Sequence, residues 1–341
     1  MLSHHQLVAA TRIGMLTRER DTVSACAQAL RELARALPLD AATLLAIDPL
    51  TGVHVQVAGL GYTDVTSQAL AREFVTTPWY RNVVRQELPP SISEDTEDPE
   101  ELGPRFRQGW FYAERVRPAG FRDGVTGALR HRDRLVGLVH LSSETAGAYD
   151  HERRRLLASV IPALAAFADP VGRAGETPGL PERGAASLVT ADGVLDLPGR
   201  ERVRALGDGE FRGVLRAFAD AGGHRLRLLW PVEGTWYRLA LHRHRPGPGL
   251  AADAVLVHET PTELPYGLSP RELEVLTRAA TGQTNQAIAQ ALFLSPRTVH
   301  SHIEHLLRKT GAGSRAEATA LALRDGLLRP APEHVGFFGE R

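Results

Sequence analysis

Near the C-terminus apolar residues recur at helical spacing in four short runs, each bracketed by residues that start or stop a helix. Ser269-Pro270-Arg271-Glu272 has the make-up of a capping box: Ser to accept, Pro at the first helical position, and Glu to reach back. Leu273, Leu276 and Ala280 follow at helical spacing, and Gly282 ends the run. Thr284 caps a second helix, with Asn285 behind it and Ala287, Ile288, Ala291 and Leu292 on its apolar face. Phe293-Leu294 makes a turn, and Ser295-Pro296 opens a third helix that Gly311 closes. Ser314-Arg315-Ala316-Glu317 opens a fourth, and Gly326 ends it. The pattern predicts an all-α four-helix bundle over 268–328.

The third helix is two-faced. Val299, Ile303, Leu306 and Leu307 fall on one side, and Arg297, His300, Ser301, Glu304 and Arg308 on the other. Thr298, His305 and Lys309 line a flank. One side is therefore core, and the other offers donors plus one carboxylate that can accept from a cytosine amino group in a major groove. Between 295 and 315 four Lys or Arg stand against one Glu, so this segment is basic within a chain of zero formal net charge. On periodicity alone, a solvated amphipathic helix in a protein-binding bundle accounts for the pattern equally well.

Upstream the period changes. Over 5–168 the chain reads as helix (22–37), hairpin (42–48 and 53–58), an irregular middle, a second hairpin (125–130 and 135–142) and a closing helix (150–167). Residues 169–184 are rich in Pro and Gly and read as a linker. The block 185–258 reads as a strand (186–190), helices at 200–206 and 211–221, and strands at 225–230, 235–242 and 254–258. RPGPG at 245–249 reads as a loop, 259–267 as a second linker, and 329–341 as a tail. The whole is an α+β multidomain chain.

Composition narrows the chemistry. Hydrophobic content of 43% with 23% charged residues fits a soluble globular chain. The start is broken by His and Arg and has no secretory core, and the longest strongly apolar uncharged run, 156–168, is too short to span a bilayer. The expectation is a cytoplasmic protein with no membrane partner. Cys26 is the only cysteine, which excludes an intrachain disulfide or a Cys-based metal cluster and reads as a small buried residue. Lys309 is the only lysine, so there is no P-loop and no active-site lysine for a phosphoacceptor receiver domain. The acidic run 91–101 carries six carboxylates and reads as a solvated loop. His242 and His244 share a strand face but lack a third ligand, so no metal is expected. No nucleophile elbow or H-E-x-x-H helix occurs, and no catalytic residue and no cofactor are expected. Trp79, Tyr80, Trp110, Phe111, Tyr112 and Phe121 are candidates to line a ligand pocket, against the plainer reading of ordinary core.

LSPRELEVLTRAATGQTNQAIAQALFLSPRTVHSHIEHLLRKTGAGSR resembles the LuxR-type helix-turn-helix domain over its whole length. The resemblance implies that the third helix enters the major groove of double-stranded promoter DNA. Its base-contacting positions fall on His300, Ser301 and Glu304, and backbone contacts fall near Thr284, Arg297, Thr298 and Lys309. Asn285, His305 and Arg308 complete the candidate face. Ala287 stands where an acidic residue is usual, Thr310 and Ala312 replace the usual Leu and Val, and Glu304 replaces a basic residue of some relatives. The target sequence therefore does not carry over. RLVGLVHLSSETAGAYDHERRRLLASVIPALA is similar to the last strand and closing helix of a GAF domain. LVTADGVLDL, with the helices and three strands after it, resembles a degenerate PAS domain. The bias to Arg and the domain order resemble actinobacterial regulators. Together these imply a one-component transcription regulator that binds DNA as a homodimer, answers a small-molecule effector and contacts RNA polymerase. The alternatives are a scaffold that no longer binds DNA and an enzyme with an appended DNA-binding domain.

Overall fold

The structure, a computed structural model, describes residues 3–19, 21–93, 105–177, 180–181, 183–244, 247, 249–250 and 253–339. Most of the acidic run, from 94 onward, and residues 245, 246 and 248 of the RPGPG segment lie outside the described residues. Contacts divide the chain into two compact units, 1–173 with 246–251 and 174–245 with 252–341.

In the first unit, helices α1 (His4–Leu16) and α2 (Thr22–Ala36) precede strands β1 (Ala41–Ile47) and β2 (His54–Leu60). Then come α3 (Asp64–Arg72), α4 (Pro78–Arg85), β3 (Asp123–His131), β4 (Arg134–Ser143), α5 (His151–Ala168) and α6 (Pro170–Gly175). The four strands form an antiparallel sheet in the order β2-β1-β4-β3. The period-two geometry of a strand splits β1 between two cores. Ala42, Leu44 and Ala46 pack with α1, α2 and α5, whereas Ala41 and Leu45 face Leu70, Phe74 and Trp79. Cys26 is fully buried in the helical core, and burial pushes its thiol up to about 12. It is a packing residue at neutral pH.

The stretch read as a linker from 169 begins instead as helix α6. Its cause is Asp169, only 1% exposed, whose carboxylate accepts from the N–H groups of Val171 and Gly172 at 3.1 and 3.0 Å. His131 Nδ1 and Arg134 lie 2.8 and 2.6 Å from the same carboxylate. Burial alone would raise this acid, but those partners outweigh it and hold it below the ordinary carboxylate value.

The second unit opens with β5 (Ala185–Val189), β6 (Val194–Asp196), α7 (Gly209–Ala221), β7 (Arg225–Val232), β8 (Thr235–His244) and β9 (Ala254–Thr262). Its antiparallel sheet runs β6-β5-β9-β8-β7. The helix expected at 200–206 shrinks to a 3₁₀ turn, Arg204–Gly207. There the buried Glu259 carboxylate takes the N–H groups of Arg204 and Ala205 at 3.1 and 2.9 Å, which ties the chain to the sheet.

The four-helix bundle follows as α8 (Pro270–Ala280), α9 (Asn285–Leu292), α10 (Pro296–Thr310) and α11 (Arg315–Asp325). It does not hang on a linker. Strand β9 runs to Thr262 through the first part of 259–267, and sheet and bundle share one hydrophobic core. The residues read as a tail also pack: Pro332–Phe337 forms a 3₁₀ turn against α7, with Val335 and Phe338 buried. The apolar residues of that segment are too few for a sequence period, so nothing local marks them as core.

Candidate nucleic-acid interface

The helices of the bundle begin as their caps dictate. Ser269 accepts from Glu272 N, and Ser269 N donates back to the Glu272 carboxylate at 2.7 Å. Thr284 caps α9 through Ala287 N, and Ser295 caps α10 through Thr298 N at 3.0 Å. Between these two helices Phe293 takes the left-handed conformation, φ 54 and ψ 46, and lies 96% exposed. The sequence pattern marks only the turn at this position.

Helix α10 has the two faces its period requires. Val299, Ile303 and Leu306 are buried against the bundle. Arg297, Thr298, His300, Ser301, Glu304, His305 and Arg308 are exposed, as is Thr284 at the start of α9. His300 Nε2 stands 3.4 Å from the Glu304 carboxylate one turn on. Ser301 Oγ donates to the Arg297 carbonyl, and Thr298 Oγ1 is paired with Ser295 Oγ at 2.8 Å. The guanidinium groups of Arg297 and Arg308 have no partner among the described residues. They bracket His300, Ser301 and Glu304 along the helix.

Two of the ten candidates make contacts within the bundle. The Lys309 ammonium lies 2.7 Å from the Glu272 carboxylate and 2.8 Å from the Gly267 carbonyl. Burial alone would raise Glu272, but its bonds from Lys309 and Ser269 outweigh this and lower it. The lysine expected on phosphate thus ties the end of α10 to the start of α8. Asn285 Oδ1 accepts from Arg315 at 2.8 Å, and the same guanidinium holds the Gln283 carbonyl.

The bundle is mounted on the sheet by its C-terminal end. Arg227 and Arg238 donate to the last carbonyls of α11, those of Arg324 and Asp325, at 2.8 and 3.0 Å. Cations belong there because a helix C-terminus carries partial negative charge. Leu229 N, on edge strand β7, donates to the Leu328 carbonyl at 2.8 Å. Arg329 lies 5.0 Å over the Trp230 ring and pairs with Glu210 and Glu274. Gly326 is required at the junction: its φ is +67, and a Cβ there would meet Arg227 Cβ at 2.7 Å.

The first unit turns its polar chemistry inward. A small cavity of about 60 Å³ lies between the sheet and the segments covering it, lined among others by Phe74, Trp79, Phe106, Phe111 and His140. His140 Nδ1 is 2.9 Å from Thr126 Oγ1, while its Nε2 is buried without a partner among the described residues. Burial, helped by His54, pushes this imidazole down to about 3, so it is neutral at physiological pH. On the same wall, the Tyr62 hydroxyl donates to Ser142 Oγ at 2.6 Å.

Of the six aromatic candidates, Trp79 and Phe111 line this cavity. Tyr80 packs edge-on to His54, Phe121 packs edge-on to Tyr62, the half-buried Tyr112 packs edge-on to Phe106, and Trp110 is 43% exposed. Tyr62, Phe74, Phe106 and His140 escape sequence reasoning. They come from four separate segments of the chain, and only the fold gathers them.

Residues 267–322 match the family described as bacterial regulatory proteins, luxR family, and residues 21–168 match the GAF domain. The probable transcriptional regulatory protein NarL of Mycobacterium tuberculosis is 49% identical over 61 residues, 18% of this chain and 28% of that protein. The uncharacterized transcriptional regulatory protein YhcZ of Bacillus subtilis is 40% identical over 70 residues, 20% of this chain and 33% of that one. The chain thus spans a third or less of the curated relatives it matches here. Among solved structures, the GAF domain of a phosphoenolpyruvate-protein phosphotransferase from Coxiella burnetii has 17% identity and a TM-score of 0.36, covering 48% of this chain and 94% of that one. So loose an overlap carries no argument. On the two family matches, this chain joins an N-terminal GAF domain to a C-terminal LuxR-type helix-turn-helix domain.

Proposed function

We propose that the protein is a one-component transcription regulator that reads double-stranded promoter DNA with helix α10. One observation carries the reading: α10 buries one face and leaves the other fully polar, with Arg297 and Arg308, which have no partner among the described residues, at either end of His300, Ser301 and Glu304. In this reading the arginines bind phosphate, and His300, Ser301 and Glu304 meet base edges. Thr284, Thr298 and His305 flank the contact, while Lys309 and Asn285 brace it from within. The LuxR-type match and the regulatory relatives support a regulator over an enzyme.

A four-helix head reads few bases, so two copies bind two half-sites about one helical turn apart. The GAF cavity is the seat of a small effector, with Trp79 and Phe111 stacking on it and His140 Nε2 supplying its polar anchor. At about 60 Å³ it holds a few water-sized atoms as it stands, so a larger effector displaces side chains. The middle domain is read as PAS-like. Two strands, a helical stretch and three strands in one antiparallel sheet support that reading. No helix among the described residues is long and apolar enough to cross a membrane, and we place the protein in the cytoplasm, where it meets RNA polymerase at its promoter. The Arg-rich composition supports an actinobacterial origin.

The test is a binding titration of a labelled promoter fragment across a salt series. The parent should lose affinity steeply with salt. Arg297→Ala with Arg308→Ala should weaken binding and flatten the salt slope by about two. Equal affinity and slope in both proteins would remove α10 as the contact.

A further inference from the structure

The middle domain carries a second hollow, unlike the first. It has a volume of about 960 Å³, at the upper end of the range for ligand sites, and is lined throughout by residues of the second unit. One wall is helix α7 and the other is the segment entering the 3₁₀ turn. Five of its lining residues are arginines, against two aspartates.

The arginines are not equivalent. Arg243 is deep in the wall, 14% exposed, and already paired with Asp253 at 2.5 Å. Arg202 and Arg204 pair loosely, at 3.6 and 3.8 Å, with exposed carboxylates of Asp196 and Glu201. Arg212 and Arg216, one turn apart on α7, have no partner among the described residues and line the cleft side by side. Beneath them the surface is apolar. Leu206 and Leu215 are 9% and 6% exposed, and Val203 and Val255 are 2% and 5% exposed. Planar guanidinium groups over an apolar floor suit an oxyanion head on an apolar body, because the fork geometry of Arg matches carboxylate and phosphate alike.

We propose that this cleft binds an amphiphilic anion, a carboxylate or phosphate monoester on a hydrocarbon body, with Arg212 and Arg216 holding the head. The floor of Val203, Leu206 and Leu215 covers the body. Position is held by the fold: the Val203 N–H donates to Ser187 Oγ, and Glu259 anchors the next two residues. The site is separate from the GAF cavity and from the DNA-reading face.

The test is calorimetric titration of the full chain with four probes: decanoate, decyl phosphate, decanol and inorganic phosphate, all below micelle formation. The expected result is one site per chain for at least one of the two anions. Decanol should bind at least tenfold more weakly, and inorganic phosphate should not register. The tighter anion identifies the head group. Arg212→Gln with Arg216→Gln changes only exposed side chains, and should weaken the anion at least tenfold while leaving decanol unchanged. His140→Phe in the other cavity should change nothing. Decanol binding as tightly as both anions, an unchanged double variant, loss of the anion in His140→Phe, or no anion binding would each overturn the proposal. No DNA enters this test, so its failure and that of the DNA-reading assignment are told apart.

Discussion

Helix α10 and the GAF cavity set polar chemistry on opposite sides of a protein surface. On α10 the guanidinium, imidazole and hydroxyl groups stand in water, and the helix is held by Val299, Ile303 and Leu306 on its other side. In the GAF domain His140 is buried against the Phe74 ring, with one nitrogen unpartnered among the described residues. An exposed face is free to vary in chemistry because folding does not depend on it. A buried polar atom constrains folding directly, at a cost of about 1–3 kcal/mol when nothing bonds to it.

The contrast is broken most forcibly at Trp79. This ring is buried on Gly109, where a Cβ would stand 1.9 Å from it. Trp79→Ala should cost about 3–5 kcal/mol in urea unfolding of the GAF unit. On the outward side, Arg297→Ala with Arg308→Ala should weaken promoter binding at least a hundredfold, since a hydrogen bond to a charged group such as phosphate contributes roughly 1.5–3 kcal/mol, with the melting temperature unchanged. A fall in melting temperature would mean the face is not independent of the fold.

His140 sharpens the inward side. Its folded value lies below its unfolded one, so between about 3 and 6.5 the unfolded chain holds the extra proton, and stability falls as pH drops through that window. At pH 5 the loss is about 2 kcal/mol. His140→Phe should remove that part of the acid sensitivity in a pH series of unfolding curves. Lys309→Met tests the strut with a smaller effect, about 1 kcal/mol at neutral pH. Glu272 is depressed in the folded state, so its contribution is present above its unfolded value and lost as pH falls through the folded one. The difference between parent and variant should therefore close in acid. Smallest of all, Trp110→Ala should stay within about 0.5 kcal/mol, because the ring is 43% exposed.

These two regions differ equally in how far they are legible in the sequence. The bundle's caps, stops and buried stripe are local, within three or four residues of each other, and the structure has them at Ser269, Thr284, Ser295 and Ser314. Lys309 reads as a phosphate contact in the sequence because its partner, Glu272, lies 37 residues away, a distance no periodicity spans. The cavity is harder to read. Aromatic clustering in the chain singles out Trp79 and Phe111, yet Tyr62 and His140 stand on the same wall only because β2 and β4 sit on either side of β1. The mount leaves no sequence signal, because Arg227, Arg238 and Gly326 look ordinary until α11 ends against the sheet.

That mount makes α10 part of one compact unit with the sheet. With Arg227, Arg238 and the Leu229–Leu328 bond joining the bundle to the sheet edge, α10 is not carried on a free tether. In a dimer, the geometry between the two copies sets the rotational phase at which an operator can be gripped. An insertion of about five base pairs between half-sites turns one of them to the far side of the duplex. A flexibly tethered head would follow it round, whereas this one would let go.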